Sequence, residues 1–354
     1  MRATRSSVLL GVLGVLLIIA AAVVRFVVVP SATDLPEDLD VTLEFEGTYN
    51  GVNPGVLSGA AGDALLSDVP IEATRRVQAQ SVDGDTMIVS RTDTQQVGDT
   101  DPTVTEVRFA VDRTDREGGP APDGEDRVTP SEGLTFTLPV DPSTKDNAYV
   151  YWDQATLQAF PVTFEGGDTI GDRDVYRYQS VAEGALADPA ALGLPTTLPK
   201  AQLVALAPTL GSSLPPETIN ALAGLLPSLP DEIPISWTSR TTTTVTADSE
   251  LGATIAGGST QEITGTLDLN GTSVSVPFAT IAVDSTDASD QARADDVAGD
   301  AQKLLLVGTV LPIVAGVLGV LLIAAALLLA RRAGGNRSGA TPPATGEPLA
   351  TSAV

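Results

Sequence analysis

The sequence contains no cysteine and no histidine, and only 14 of its 354 residues are aromatic. Without imidazole or thiol side chains the chain cannot build a Ser-His-Asp triad, a Cys-His nucleophile, a disulfide or a His- or Cys-ligated metal site. A net charge of −25 opposes binding to nucleic acid, which requires clustered basic residues. We therefore expect no enzyme, no cofactor and no nucleic-acid partner.

Carboxylates are the one abundant source of chemistry. A two-acid hydrolase needs a carboxylate pair at a set distance, and sequence does not give that distance, so mere abundance carries little weight. Calcium uses oxygen ligands, but the acidic loops Asp83–Asp85 and Asp112–Asp126 do not match a calcium-loop pattern. We expect solvated acidic loops with no metal, and leave calcium open.

Two long apolar runs stand apart from the rest of the chain, at residues 8–29 and 304–330. At about 1.5 Å per residue, helices over these runs are about 33 and 40 Å long, enough to cross a hydrocarbon core of about 30 Å. The sequence therefore predicts two transmembrane helices. The first run is too long for an ordinary signal peptide and lacks a clear cleavage site, so an uncleaved anchor is favoured over a cleaved signal.

Basic residues flank the outer sides of both runs: Arg2 and Arg5 precede the first, and Arg331, Arg332 and Arg337 follow the second. This places both termini in the cytoplasm of a cell membrane protein with two helices. The predicted division is a cytoplasmic N-terminus (1–7), a transmembrane helix (8–29), an extracytoplasmic β-rich domain (30–303) with a helical insertion (186–233) and an acidic stalk (284–303), a transmembrane helix (304–330) and a disordered cytoplasmic tail (331–354).

The negative charge lies almost entirely between the two apolar runs. Residues 30–303 contain 14 basic and 44 acidic side chains, a net charge of −30. Such a domain is soluble and repels anionic headgroups. Lysine occurs only at positions 145, 200 and 303, which together with the Ala and Val content indicates a high-G+C genome.

Alternating and β-branched segments recur through the outer domain and are separated by Gly, Pro and Asp clusters such as Asn270-Gly271, a two-residue hairpin turn. The predicted strands are 41–46, 85–90, 103–111, 148–152, 157–164, 174–178, 235–247, 262–269 and 272–283. The predicted fold class is α+β: a β-rich antiparallel ectodomain of long meanders with a short helical-hairpin insertion, flanked by two transmembrane helices.

The insertion is rich in Leu, Ala and Pro. Thr197 is the predicted cap of its first helix, with Pro199 in the first turn, and Pro215-Pro216 opens the second. The apolar positions predicted to share a face are Leu203, Leu206, Leu210, Ile219, Leu222 and Leu226. This face either closes the sheet, which we favour, or forms an apolar surface for a lipid or protein partner.

The segment before the second apolar run is acidic and Ala-rich, with Ser289 or Asp290 as the expected cap of a stalk helix. Within the apolar runs, the octapeptide at 11–18 recurs at 316–323. Small residues let membrane helices approach closely. However, antiparallel helices would place Gly11 and Gly316 at different depths, so low-complexity apolar sequence is the favoured interpretation over helix contacts.

Several segments resemble the actinobacterial membrane-anchored proteins of the porin PorA family. They are Leu39-Asp40 after the first anchor, Val111-Asp112-Arg113, Tyr149–Asp153 continuing through Phe160 to Val175–Tyr178, and Ser289–Ala301 leading into Leu311-Pro312. The resemblance implies an N-terminal anchor, a large outer β-rich domain and a C-terminal anchor. These matching segments are structural and include no catalytic signature.

The composition argues against a lipid-facing barrel, which needs aromatic girdles at both interfaces. Two hypotheses follow. The favoured one is a non-enzymatic cell-envelope protein that binds a lipid, an envelope component or a protein partner through its outer domain. The alternative is a channel or porin-like protein that acts through oligomerised transmembrane helices.

Overall fold

The computed structural model describes residues 5–29, 33–53, 64–204, 229–269 and 272–335. The chain divides into two compact units. One unit comprises Met1–Ala32 and Gln302–Val354, and the other comprises Thr33–Ala301. The two boundaries between these units, after Ala32 and before Gln302, each lie within a few residues of an apolar run.

Three α-helices have both of their ends within the described residues. Helix α1 spans Arg5–Val23 and continues as a π-helical turn at Val24–Val28. Helix α2 spans Asp287–Leu305, a π-helical turn follows at Leu306–Val310, and α3 spans Leu311–Gly335. Pro312 has no N–H to donate to the preceding turn, which accounts for an irregular turn at this place. Residues 331–335 of the predicted disordered tail are helical, and the rest of that tail lies outside the described residues.

The unit Thr33–Ala301, which we call the outer unit, contains thirteen strands among its described residues. They are β1 (Asp40–Val52), β2 (Leu65–Asp83), β3 (Thr86–Val97), β4 (Thr103–Asp112), β5 (Glu117–Gly118), β6 (Gly133–Leu134), β7 (Val150–Asp153), β8 (Gln158–Ile170), β9 (Arg173–Ala185), β10 (Thr197–Pro199), β11 (Glu232–Asp248), β12 (Thr254–Leu269) and β13 (Thr272–Ser285). A 3₁₀ turn lies at Ala190–Leu192.

These strands form one sheet that closes on itself. The order is β11-β12-β13-β1-β2-β3-β4-β5-β6-β7-β8-β9, and β9 then pairs with β11 over Thr238–Asp248, with Val245 opposite Tyr178. The short strand β10 pairs with the start of β11 and lies outside the ring. The predicted α+β fold class of open antiparallel meanders is therefore wrong: the fold is a closed barrel of twelve strands. Closure depends on a pairing between strands far apart in the sequence, which local patterns do not reveal.

Alternation along the long strands separates an exposed outer surface from the barrel interior. On β1, Leu43 and Phe45 are buried, whereas Glu44 between them and Glu46 after Phe45 are exposed. The same alternation continues on β11, where Trp237, Ser239 and Thr241 are buried. The outer face of the barrel is therefore polar and charged along the long strands.

Apolar side chains fill the interior near both ends of the barrel. One cluster is centred on Tyr49, Ile71, Trp237 and Phe278. A second is centred on Met87, Val89 and Phe109, and a third on Leu134, Leu138, Val162, Tyr178 and Val245. Burial of these side chains supplies the main stabilisation of the barrel.

Helix α2 packs on the barrel wall. It begins at Asp287, and the Thr286 hydroxyl accepts a hydrogen bond from the Ser289 N–H (3.2 Å), so the predicted cap at Ser289 or Asp290 is wrong. Ala294 and Val297, one turn apart, are almost completely buried against Val175 and Ile255. The outer part of the predicted acidic stalk is therefore docked through this small apolar stripe.

The predicted helical insertion is described only at its ends. Thr197 lies in β10, and the helix begins at Lys200, so Thr197 is not its cap. Residues 205–228, which include the rest of the predicted hairpin, lie outside the described residues, as does the predicted turn at Asn270-Gly271. Strands β12 and β13 pair up to Leu269 and Thr272 on either side of that turn.

Candidate functional site

Two helical stretches in the described part of the chain are long and apolar enough to cross a membrane: Val8–Val28, and the C-terminal half of the helical stretch Asp287–Arg332. Their large apolar side chains are exposed around the helices, among them Leu9, Phe26, Leu318 and Leu328. Exposure of this kind is unfavourable in water and suits a lipid surrounding.

Gly14 and Gly319 mark a close approach between the backbones of α1 and α3. A methyl group added at Gly14 would lie 2.6 Å from the carbonyl oxygen of Gly319, and one added at Gly319 would lie 2.7 Å from the carbonyl oxygen of Gly14. Such approach requires the absence of a side chain on both helices. The interpretation of the repeated octapeptide as mere low-complexity sequence is therefore wrong, because its second glycines make an intramolecular helix contact.

The second candidate site is an apolar cleft in the outer unit. It has a volume of about 40 Å³, its accessible lining is entirely apolar, and one side is open. The lining residues are Val52, Pro195, Leu198, Leu203, Ile235, Trp237, Gly265, Leu267, Val276 and Phe278. A wholly apolar space of this size gives a water molecule no polar partner and favours an apolar group instead.

Trp237 shapes the floor of the cleft. Its indole Nε1–H donates to the carbonyl of Pro195 (2.7 Å), and its ring meets Phe278 edge-on with centroids 4.9 Å apart. Gly265 on β12 makes room for the ring, because a methyl group there would lie 2.9 Å from both Trp237 and Ile235. The indole is therefore fixed in one orientation by a hydrogen bond and by packing.

Of the six residues predicted to form an apolar surface, Leu203 is fully buried and lines the cleft together with Leu198. Leu206, Leu210, Ile219, Leu222 and Leu226 lie outside the described residues. Sequence reasoning missed the contributions of β11, β12 and β13, which follow the predicted insertion and contribute inward positions to the cleft.

Two arginines, Arg116 buried and Arg173 partly buried, tie loops of the outer unit together. Arg116 donates to the carbonyls of Leu138 and Leu251, and burial lowers its pKa to about 10. Arg173 donates through Nε and Nη2 to the completely buried carboxylate of Asp248 (2.6 and 2.9 Å). The same carboxylate accepts from the N–H groups of Glu250 and Leu251, so these charges support the fold.

Acidic side chains do not gather into an obvious metal site in the described ranges, where no group of three or more carboxylates is placed to hold an ion. Asp112, in one of the loops considered for calcium, instead accepts hydrogen bonds from the N–H groups of Thr114 and Asp115. This is the arrangement of an ordinary Asx turn.

The family model described as "Porin PorA" matches residues 6–328, which include α1, the whole barrel and most of α3. The chain belongs to the porin PorA family. It is accordingly a membrane protein, and family membership together with the barrel points to a channel or porin rather than to the favoured non-channel hypothesis. No curated protein matches the chain significantly.

Solved structures give only distant similarity. A mutant of the Rh. blastica porin is 8% identical over 70% of this chain and 99% of its own, with a TM-score of 0.20. A MaoC-like dehydratase is 13% identical over 70% of this chain and 76% of its own (TM-score 0.13). The Aeromonas veronii immune modulator A is 10% identical over 73% of this chain and 98% of its own (TM-score 0.12). At these TM-scores the similarities carry no argument.

Proposed function

We propose that this porin PorA family member is a non-enzymatic, channel-forming protein of an actinobacterial cell envelope, and that the path through the membrane is made by helices of several copies. The family match over 6–328 is the observation that carries the proposal. One pair of α1 and α3 presents apolar side chains on its outer faces, so a single pair encloses no path for ions. Association of several pairs is therefore part of the proposal.

The helices rather than the strands are proposed to lie in the hydrocarbon. A lipid-facing strand needs apolar outward positions. The outward positions of this barrel instead include exposed Glu44, Glu46 and Glu72 on neighbouring strands, and an Arg240–Glu262 pair on β11 and β12. Both termini are then cytoplasmic, in keeping with the flanking arginines, and the barrel stands in water on the other side.

The conductance of planar bilayers containing the purified full-length protein tests this function. We expect discrete conductance steps, and we expect their loss in the double variant Gly14→Leu, Gly319→Leu, since leucine at the crossing forces α1 and α3 apart. Gly119→Ala is the matched control, because a methyl group at Gly119 meets no neighbour within 4 Å. Absence of steps from protein that has demonstrably inserted would reject the proposal.

Cysteine labelling tests the proposed membrane topology. The chain has no cysteine of its own, so only an introduced cysteine can react. Thr74 is exposed and faces outward on β2, and its neighbour Ala73 faces inward. A membrane-impermeant maleimide added to intact cells or spheroplasts should label Thr74→Cys rapidly and Ala73→Cys slowly. Protection of Thr74→Cys until detergent is added would place the strands in lipid instead.

A second candidate function, binding of an apolar ligand by the outer unit, is favoured by the wholly apolar cleft beside Trp237. The cleft suits the end of an alkyl or acyl chain. Titration of the full-length protein in lipid nanodiscs with a short-chain fluorescent fatty acid tests it. Binding that is lost in Leu198→Asp but retained in Val204→Asp, an exposed neighbour, would support the function; equal binding by both would contradict it.

A further inference from the structure

The interior of the barrel contains a charged layer between its apolar ends. Along the inner face of β2, Ile71 belongs to one apolar cluster and Val77 to another, and Arg75 lies between them. Arg91 and Asp93 face the same space from β3, with Asp93 directly opposite Arg75 in the register. Tyr151 approaches both arginines closely enough to influence their charge.

Asp93 is shared between the two arginines. Its Oδ1 lies 2.7 Å from Nε of Arg75, and its Oδ2 lies 2.9 Å from Nε of Arg91. Burial opposes ionisation of this carboxyl, but the two guanidinium groups outweigh burial and lower its pKa. All three groups are therefore charged near neutral pH. Since Asp93 is the only carboxylate acting on the pair among the described residues, the layer has a net charge of +1.

The arginines have far more donors than acceptors. Two guanidinium groups carry about ten N–H bonds, whereas Asp93 is the acceptor that the described residues bring to both. Its Oδ1 accepts from Nε of Arg75, and its Oδ2 lies 2.9 Å from the buried Nε of Arg91. One carboxylate cannot serve so many donors, so the remaining N–H groups take their acceptors from water or from a bound solute.

Space for such oxygen atoms exists beside Arg75. About a third of its side-chain surface (36%) is free of protein contact, although burial is the largest single influence on its pKa. Arg91 and Asp93 retain 13% and 27%. Phe45 and Phe109 lie under the two guanidinium groups, at 5.4 and 5.9 Å from ring centroid to Cζ, and fix their planes.

We propose that Arg75 and Arg91 form a binding site, inside the barrel, for a small oxyanion that presents a carboxylate or phosphate group. Two oxygens of such a group match the paired N–H bonds of a guanidinium. One bound monoanion brings the net charge of the layer to zero and gives acceptors to the unused donors. The aspartate sets the affinity by offsetting one of the two positive charges.

Isothermal titration of the full-length protein in detergent with inorganic phosphate, and separately with acetate, tests the site at constant ionic strength. We expect one ion per chain for at least one of the two, and the preferred ion identifies the source as a phosphate or a carboxylate. Arg75→Gln should weaken binding about tenfold or more, because it removes a charge-assisted contact. Arg76→Gln, which alters the outward neighbour paired with Asp40, should leave binding unchanged.

Asp93→Asn gives the sharpest discrimination. If the aspartate only supports the fold, its loss lowers both the stability of the protein and its affinity for the ion. If the site binds anions, its loss raises the positive charge of the layer and tightens binding at least severalfold. Circular dichroism checks that each variant is folded, and Arg91→Gln replaces any that is not, with weakened binding expected. No binding of either ion by the unmodified protein, or unchanged binding in folded Arg75→Gln or Arg91→Gln, would overturn the proposal. Failure of channel activity would leave these results intact.

Discussion

Gly14 of α1 and Gly319 of α3 lie so close that each backbone carbonyl occupies the space of a side chain on the other residue. The contact is made by equivalent glycines of the two repeated octapeptides, although those segments run in opposite directions. It fixes the register of the two helices, because a side chain on either glycine would meet the backbone of the other helix.

This register is predicted to permit a disulfide between Gly11, one turn from Gly14 on α1, and Ala326, about two turns from Gly319 on α3. A Cβ at Gly11 would lie 3.8 Å from that of Ala326, within the usual range of about 3.5 to 4.5 Å for disulfides. We expect Gly11→Cys, Ala326→Cys to form an intrachain bond under mild oxidation, detected by mass spectrometry. Gly11→Cys, Gly316→Cys is the control and should remain reduced, because no atom lies within 4 Å of a Cβ at Gly316. A bond in the control pair would contradict the register.

The buried ion pair of Arg173 and Asp248 is expected to dominate the stability of the loops it joins. Asp248→Ala leaves two backbone N–H groups without their acceptor and leaves the guanidinium with only its exposed partner Glu250, at a cost of about 3 kcal/mol. The exposed pair of Arg177 and Asp168 provides the comparison, since Asp168→Ala should cost about 0 to 1 kcal/mol. Urea unfolding of both variants measures the difference, and similar costs would show that Asp248 is not a structural anchor.

Gly265 is expected to be intolerant of a single added methyl group. Gly265→Ala pushes the Cβ against Trp237, which its hydrogen bond to Pro195 holds in place, and should reduce the free energy of unfolding by about 1 to 3 kcal/mol. Gly119→Ala, in open space, should have no destabilising effect. Thermal unfolding followed by tryptophan fluorescence compares them; a neutral Gly265→Ala would mean that the indole moves freely.

Tyr49 is predicted to make the stability of the outer unit sensitive to alkaline pH. Burial raises the pKa of its hydroxyl to about 12, and the hydroxyl donates to the carbonyl of Val52 (2.6 Å). The neutral form is thus favoured by folding, so its contribution is complete below pH 10 and is lost as the pH rises toward 12. The loss is about 3 kcal/mol.

Burial also raises the pKa of Tyr178. Absorbance at 295 nm should therefore show more than one late-titrating tyrosine, and their number should fall by one in Tyr49→Phe. The same variant should lose less stability than the unmodified protein between pH 10 and 12. Identical pH dependence of the two proteins would assign the late titration to another residue.

Most strands could be predicted because their alternation survives in the sequence. The expected strands at 41–46, 103–111 and 235–247 lie within β1, β4 and β11. Strand β2 was not predicted, although it is the longest. One of its inward positions is occupied by Arg75, where an apolar residue would be expected. The alternation of apolar and polar residues is therefore interrupted near the middle of β2.

Closure of the sheet and the architecture of the sites could not be predicted for a different reason. The pairing of β9 with β11 joins strands separated by the insertion, and the cleft combines the consecutive strands β11, β12 and β13 with Val52 of the distant strand β1 and with Leu198 and Leu203. The packing of α2 against the barrel is indicated in the sequence only by Ala294 and Val297, which lie one turn apart within an acidic segment. Such relationships arise from tertiary packing and have no local signature.

The position of β1 in the ring has a consequence for the way the protein is made. This strand pairs with β2 on one side and with β13 on the other, so its second edge stays open until Ser285 has been synthesised. Open strand edges recruit other chains. The nascent protein is therefore prone to aggregation until the sheet closes, and a chain interrupted before residue 272 is expected to aggregate rather than to persist as a partial barrel.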